Sequence, residues 1–416
     1  MGKITRDGRI VMFTAGTIGM ALLLFGYLSL TWGSFAGITK AIYAFSELFS
    51  DFVIYYYPMG EAIFQTELPV SGYLYSPFIA ILLAIFPLLG QPLSLVLWGI
   101  LQILFVVLYL LLFRRLVPSG LKFQLLFVAL TLFSFPLVLN LLGGQVSVFI
   151  IVGILGLLVL EERGFRSSGA GLLAFAVSFK FYPILFLTPF ASRRKIRVFF
   201  LGGGACVALL FVVPGIFLGI GDTFRFYGAL LSSFKDSGWV TENPHSQYFP
   251  HLILRLTGMS EHDLLYLISY SIAAANMGLV FLIQRARLRL ANLWSFQIVF
   301  MTIPFVLKTS WAHDFVFISF TQALLVWWLL EGKKGFKGTD TAKAVTYVLL
   351  LLSIVFSNIV FFNVFGDFLR YGYYGFLFWA NLFLLIATYI QILPPALSEI
   401  QKLPAESNLN PLNSSF

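Results

Sequence analysis

The 416-residue chain contains one cysteine, Cys206, set in an apolar stretch. Neither a disulfide framework nor a thiolate metal cluster can be built from it. Charge is scarce as well, with Asp, Glu, Lys and Arg together at 11% of residues. The His-Glu-x-x-His spacing of a zinc-binding helix is missing. No Asp-x-Asp pair of the kind that carries a nucleotide-bound metal stands out. Glu261-His262-Asp263 has the acidic spacing but reads as the first-turn acids of a helix. Gly202-Gly203-Gly204 lacks the Lys-Ser/Thr that completes a phosphate loop and reads as a place of close helix packing. No metal and no cofactor are expected on these grounds. Short alternating strands are missing too, which excludes a closed β-barrel. Residues 10–31 are long enough to span a bilayer and carry no small-residue cleavage site, so they are expected to remain as a signal anchor. Lys3, Arg6 and Arg9 would hold its start in the cytoplasm.

What the chain has in quantity is apolar surface. It is 59% hydrophobic, with a mean hydropathy of +0.91. No soluble fold hides that much, so an integral, multi-pass membrane protein follows, expected in the cell membrane. The 47 Phe suit helix packing and lipid contact. The net charge of +9 is not a nucleic-acid signal, because the basic residues sit in short loops between apolar stretches. The partners expected are therefore membrane lipids and not nucleic acid.

A bilayer core of ~30 Å takes about 20 apolar residues per helix. Hydrophobic stretches fall at about 10–31, 75–89, 92–113, 123–139, 146–160, 168–190, 198–219, 264–284, 291–307, 315–330, 344–362 and 372–393. The fold expected is an all-α polytopic membrane protein with about 11–12 transmembrane helices. The chain divides into the anchor (1–31), a first outer loop (32–74), a core transmembrane module (75–219), a second outer loop (220–262), a C-terminal transmembrane module (263–393) and a tail (394–416). The first outer loop should hold a juxtamembrane helix from Asp51 to about Thr66. The tail is rich in Pro, Ser and Asn and is expected to be disordered and cytoplasmic.

Arg193, Arg194, Lys195 and Arg197 should face the cytoplasm, as should 285–289 and 333–337. Twelve plain spans would then put Arg114, Arg115 and Lys122 outside, against the rule. Re-entrant hairpins at 75–90 and 168–190 would bring them inside and turn Gly144-Gln145 and Lys180 outward. Both arrangements stay open, and both put 32–74, 220–262 and the 308–314 turn on the extracytoplasmic side. No internal repeat stands out.

Few residues could carry chemistry. Asp51 opens the run Asp51-Phe52-Val53-Ile54-Tyr55-Tyr56-Tyr57-Pro58. It suits a helix N-cap. It also suits a general base that takes a proton from a sugar or lipid hydroxyl as the oxygen attacks. Tyr55, four residues on, should share its helical face. Tyr55 and Tyr56 could bind sugars or be interfacial belt aromatics. Lys180 is the only charge inside an apolar stretch. It either snorkels to the interface or holds an anion such as a lipid phosphate. Lys308-Thr309-Ser310-Trp311-Ala312-His313-Asp314 joins two stretches, and its Lys and His could bind a phosphate or diphosphate.

Taken in order, these pieces resemble glycosyltransferase family 87, polytopic enzymes of GT-C-type fold. Asp51-Phe52 through Tyr55-Tyr56 is similar to the family's Asp-Phe-x-x-Tyr-Tyr segment, continued by Gly60-Glu61-Ala62. Tyr73-Leu74-Tyr75-Ser76-Pro77 resembles its Tyr-x-Tyr-Pro-Pro, with Ser76 in place of the first proline. Gly144-Gln145-Val146-Ser147 resembles its Gly-Gln-Val-Asn-like element, and Lys180-Phe181-Tyr182-Pro183 its Lys-x-x-Pro. Ser310-Trp311-Ala312-His313 resembles its Ser-Trp-x-His-His, with Asp314 where a second histidine is usual. Asn243-Pro244-His245-Ser246 is loosely similar to its Asn-Gln-Ser element. The resemblance covers roughly 45–330. It implies transfer of a hexose, mannose above all, from a polyprenyl-phosphate-linked sugar donor to a glycolipid or glycan acceptor of the envelope, with inversion. It implies Asp51 as base, Lys180, His313 and Gln145 at the donor phosphate, and Tyr55, Tyr56, Tyr75, Ser310 and Trp311 at the sugar or acceptor. A lipid or sugar transporter or flippase also fits many spans and a buried lysine, but would favour pseudo-symmetric halves. An oligosaccharide polymerase or ligase is a third reading.

Overall fold

The computed structural model describes residues 49–65, 68–191, 195–235, 243–258, 262–286, 288, 290–331 and 339–401. The expected anchor at 10–31, Arg193, Arg194, the 333–337 stretch and residues 402–416 lie outside these. Among the described residues the chain is helical, with one isolated β-bridge between Ser134 and Asn358. It is an all-α polytopic membrane protein.

The helices are α1 (Tyr57–Ala62), α2 (Pro77–Leu83), α3 (Gln91–Leu116), α4 (Leu121–Leu132), α5 (Phe135–Gly143), α6 (Ser147–Glu162), α7 (Arg166–Phe179), α8 (Ile196–Val207) and α9 (Val213–Leu218). They continue with α10 (Ile220–Lys235), α11 (Phe249–Thr257), α12 (His262–Ala286), α13 (Ala291–Val306), α14 (Ile318–Glu331), α15 (Asp340–Phe356), α16 (Ile359–Phe365), α17 (Phe368–Tyr374) and α18 (Phe376–Gln401). Among the described residues, five stretches of helix are long and apolar enough to cross a membrane: Gln91–Leu116, Ile196–Leu218, Asp263–Ala286, Ala312–Leu330 and Phe368–Gln401. The pair α5 and α6, bent by 117°, makes a sixth if taken as one span. Other expected stretches, at 75–89, 123–139 and 291–307, form shorter apolar helices.

What shortens them is a set of chain breaks. α6 begins just after Gln145 and ends at Glu162, so Gln145 and Glu161 lie at its opposite ends. α7 returns antiparallel, so close that a Cβ on Gly153 would lie 2.8 Å from the Leu172 carbonyl oxygen. It stops at Lys180, and a 3-10 segment, Tyr182–Phe190, leads back toward Lys195, which meets Glu161 at 4.0 Å. The 168–190 stretch is thus a hairpin with Lys180 at its tip. The 75–89 stretch also enters and leaves at the Gln145 end: Tyr75 bonds Gln145, and Gly90, with φ +73, turns the chain into α3, whose Trp98 donates to the Gly144 carbonyl. Arg114 and Arg115 close the last turn of α3 at the Glu161 end, with Arg163, Lys195 and Arg285.

Uniform apolarity conceals which face of a helix looks inward. On α3, Trp98, Gln102, Val106, Tyr109 and Phe113 are buried at helical spacing, while Val96, Ile100, Ile103 and Leu111 are exposed on the far side as a lipid-facing stripe. Of the three consecutive glycines, only Gly202 packs closely, against Leu187. The expected start of the tail at 394 is displaced; residues 402–416 lie outside the described residues. α18 continues through Pro394 and Pro395 to Gln401, because Ile392 and Ala396 are fully buried and that packing outweighs the proline penalty.

α1 rests on the end of α2 at Gly60, where a Cβ would lie 2.5 Å from the Leu83 carbonyl oxygen. Backbone cannot yield there as a side chain can. Gly60→Ala is expected to cost about 1–3 kcal/mol, seen as a lower unfolding temperature in detergent. A variant as stable as wild type would mean that α1 and α2 separate freely.

Candidate active site

The site grows from the break between α5 and α6. Gly144 takes a left-handed conformation, φ +66, and a Cβ there would lie 2.9 Å from Phe49 Cβ. The corner is braced by polar side chains. Trp98 Nε1 donates to the Gly144 carbonyl at 2.9 Å, and Gln102 Nε2 to the Gln145 carbonyl at 2.8 Å. Asn140 donates to Gln102 Oε1 at 3.1 Å and accepts the Ser147 N–H at 3.0 Å, satisfying the exposed start of α6. Gln145 is thereby held with its amide toward a cavity. Its Oε1 accepts Tyr56 OH at 3.0 Å and Tyr75 OH at 3.3 Å, and the two hydroxyls bond each other at 2.7 Å.

Asp51 leads the helix as expected, but it does not cap it. Its φ and ψ are helical and its carboxylate accepts no backbone N–H of the first turn. The turn that follows, Phe52–Tyr56, is a π-turn, closed from Tyr57 N–H to the Phe52 carbonyl. Such widened turns recur at functional sites. Here Tyr55 and Tyr56 both face the cavity with Asp51. Tyr55 lies over Gly72, whose φ is +83 and whose missing Cβ would overlap the ring. Burial pushes the Asp51 carboxyl up to about 6, although the Lys180 charge and the Ser50 hydroxyl pull it down. A carboxylate that titrates near neutral pH is poised to accept a proton.

Lys180 does not snorkel. Its ammonium bonds Asp314 Oδ1 at 2.5 Å and lies 3.4 Å from His313 Nε2. Asp314 is fully buried and also accepts the Ser147 hydroxyl at 3.2 Å and the Trp311 N–H at 3.2 Å. The pair bridges the tip of the 166–190 hairpin and the 3-10 turn Ala312–Phe317.

One cavity of about 590 Å³ gathers Asp51, Tyr55, Tyr56, Tyr75, Gln145, Lys180, Trp311 and His313. Pro69, Val70, Leu74, Phe181 and Leu307 give it an apolar wall. Eight of the nine residues singled out from the sequence therefore meet, although they come from five separate segments of the chain, at 51–56, 75, 145, 180 and 311–313. The ninth, Ser310, does not line it. Ser310 is buried, and its carbonyl accepts Gln247 N–H at 2.7 Å, fastening the 243–248 segment from behind. Lys308 is not in the cavity either; its ammonium sits 5.5 Å from the Tyr266 ring centre. A smaller cavity of about 220 Å³ shares Asp51, Gln145, Trp311 and His313 and adds Ser50, Asn243, His245 and Phe368. Sequence reasoning missed Asp314 as the partner of Lys180, and Tyr182 and Thr309 as cavity residues. A lysine within an apolar stretch calls for a carboxylate, but nothing local in the sequence marks Asp314 as that carboxylate.

The Lys180–Asp314 pair makes a prediction about stability. Breaking a buried pair strands one charge and costs about 3–5 kcal/mol, whereas replacing both partners with apolar residues can be near neutral. Lys180→Met with Asp314→Leu is therefore expected to unfold at a higher temperature than Asp314→Leu alone. Additive losses in the three proteins would remove the coupling.

The family comparison agrees with this geometry. The sequence model of glycosyltransferase family 87 matches residues 73–310, more than half of the chain. The match takes in Tyr75, Gln145 and Lys180 and stops short of Asp51 and His313. No curated protein and no solved structure matches. The matched span runs through three of the breaks that build the cavity, and it decides against the transporter reading: the chain belongs to glycosyltransferase family 87 and is a membrane glycosyltransferase.

Proposed function

We propose that the enzyme moves a hexose, mannose best, from a polyprenyl-phosphate carrier to a glycolipid or glycan of the cell envelope. The observation that carries this is one cavity holding a carboxylate of raised pKa and a lysine ammonium together, with an apolar wall beside them. The sugar phosphate lies in the larger cavity, its lipid chain along Val70, Leu74, Phe181 and Leu307. Lys180 and His313 hold the phosphate. An acceptor hydroxyl attacks the anomeric carbon and passes its proton to Asp51. The bond from that carbon to the phosphate oxygen breaks, and its electron pair stays with the phosphate. The leaving phosphate gains negative charge without taking a proton, so a cation already beside it favours the transition state over the ground state. A single displacement inverts the anomeric centre. Gln145, Tyr56 and Tyr75 form a hydroxyl and amide network that orients the sugar, with Tyr55 and Trp311 as aromatic faces beside it.

The site is taken to face away from the cytoplasm. Support comes from the distribution of basic residues. Arg114, Arg115, Arg163, Lys195 and Arg285 all lie at the end opposite Gln145, where the positive-inside bias puts the cytoplasm. That arrangement corresponds to hairpins at 75–90 and 168–190 rather than twelve plain spans.

Purified protein given polyprenyl-phosphate mannose and an envelope lipid extract is expected to form a mannosylated product. Asp51→Asn should lower turnover by about 10²–10⁴-fold while the protein still folds. Because the carboxylate must be ionised to accept the proton, wild-type turnover should fall as pH drops through about 6, and the residual rate of Asp51→Asn should lack that step. Near-wild-type turnover in the variant would remove Asp51 from the chemistry.

Sidedness is open to cysteine labelling in a Cys206→Ser background. Ser71 is exposed beside the cavity and Ser168 is exposed at the opposite end. Gly72 is a poor probe, given its overlap with the Tyr55 ring. In intact cells an impermeant maleimide should modify Ser71→Cys and spare Ser168→Cys. The reverse pattern would put the site in the cytoplasm.

A further inference from the structure

The two cavities meet at Asp51, Gln145, Trp311 and His313, and beyond that shared wall their chemistry differs. Lys180 lines only the larger one. Among the described residues no lysine or arginine lines the smaller one. Apart from the shared Asp51, its polar groups are neutral. Asn243 Oδ1 accepts the His245 N–H at 2.8 Å, which leaves the Asn243 amide nitrogen as a donor. Burial and the nearby Arg255 push the His245 imidazole down to about 4, against the pull of Asp367. It is uncharged at neutral pH and can exchange hydrogen bonds with hydroxyls without attracting an anion. Its ring stacks on Phe368 with centres 3.9 Å apart and planes 20° apart. Gly372 makes this fit possible, since a Cβ there would lie 2.8 Å from His245 Nδ1.

We propose that the smaller cavity is the acceptor subsite, taking the terminal sugar ring of the acceptor, with Asn243 and His245 reading its hydroxyls and Phe368 holding His245 in plane. This rests on the reading of Asp51 as base and Lys180 as phosphate ligand. In-line displacement needs the attacking oxygen and the leaving phosphate on opposite faces of the transferred sugar. A phosphate at Lys180 sends the acceptor to the far side of the shared wall. The smaller cavity lies there, with Asp51 in its lining to take the hydroxyl proton. Neutral donors and an aromatic pair suit an uncharged, many-hydroxyl ring. A second phosphate would find no lysine or arginine there.

Two measurements test this. In the first, initial rates are taken with polyprenyl-phosphate mannose and octyl α-mannoside, together with release of mannose to water. His245→Ala and the milder His245→Gln should raise the KM for octyl mannoside on the order of tenfold, as the loss of one or two neutral hydrogen bonds implies. The donor KM and the hydrolysis rate should stay as in wild type. A raised donor KM with an unchanged acceptor KM would overturn the assignment. The second measurement needs no turnover. Saturation-transfer NMR with methyl α-mannoside and methyl α-glucoside should show binding to wild type and to Thr309→Trp, which crowds the larger cavity alone, and none to His245→Ala. Binding lost in Thr309→Trp but kept in His245→Ala would place the sugar in the larger cavity and sink the proposal. If methyl hexosides bind through His245 while no polyprenyl-phosphate sugar is consumed, the donor reading fails and the sugar subsite stands.

Discussion

The site depends on one ion pair within an apolar body. Lys180 and Asp314 are 134 residues apart in sequence; Lys180 lies where α7 has just stopped, and Asp314 lies in the 3-10 turn that leads into α14. Either charge alone would be expelled from such a place or neutralised there. Together they fasten the 166–190 hairpin to the Ala312–Phe317 turn. Ser147 and the Trp311 N–H complete the bonding of the carboxylate, so the start of α6 is tied into the same knot. Three breaks in the helical framework are thus held at one level, and the cavity is the space between them.

Breaks are also the natural home for such a site. An uninterrupted membrane helix uses up its own backbone polar groups and offers lipid or a neighbour only side chains. Irregular backbone at that depth survives where it is buried in protein or lines a wet cavity. The corner at Gly144–Gln145 shows how the exposed groups are satisfied. Trp98 and Gln102 bond the two carbonyls from α3, and Asn140 takes the Ser147 N–H. The polar residues of α3 and α5 therefore act through position: they hold Gln145 still so that its amide can accept Tyr56 and Tyr75.

Much of this was legible in the sequence, and the failures have physical reasons. Helical class and membrane residence followed from apolar runs. Asp51, Tyr55, Tyr56, Lys180 and His313 stood out as polar or aromatic residues in or beside them, whereas Tyr75, Gln145 and Trp311 were marked only by the resemblance to glycosyltransferase family 87. Lys180 stood out because water-free surroundings make a lone charge costly. Its partner was not assigned, because pairing between distant breaks leaves no local pattern, and an Asp beside a His is ordinary in a loop. Asp51 suits both a cap and a base by residue type, and tertiary placement keeps its carboxylate off the backbone, so the cap is not made. Lys308 looked as promising as His313, but a register difference of five residues in a turn sends one to Tyr266 and the other into the cavity. Inward and outward faces of α3 are equally apolar, so no periodicity distinguished Trp98 and Gln102 from their lipid-facing neighbours. At α18 the error ran the other way. Two prolines signalled an end that burial of Ile392 and Ala396 overrode.

On the proposed reading, the substitution of Asp314 for a second histidine has an electrostatic consequence. A lysine beside two imidazoles would present an unshared charge to the donor. Here Lys180 is already paired, so the resting cavity is close to neutral at that point. A phosphodiester of one negative charge must share the ammonium with Asp314, and its ground-state attraction is correspondingly modest. As the sugar departs, the phosphate becomes a monoester of higher charge and pulls harder on the same ammonium. A shared cation therefore strengthens its contact mostly in the transition state, which is where stabilisation accelerates transfer. Asp51 undergoes the complementary change, taking a proton and shedding its own charge as the phosphate gains one, so the net charge of the buried site stays constant through the reaction.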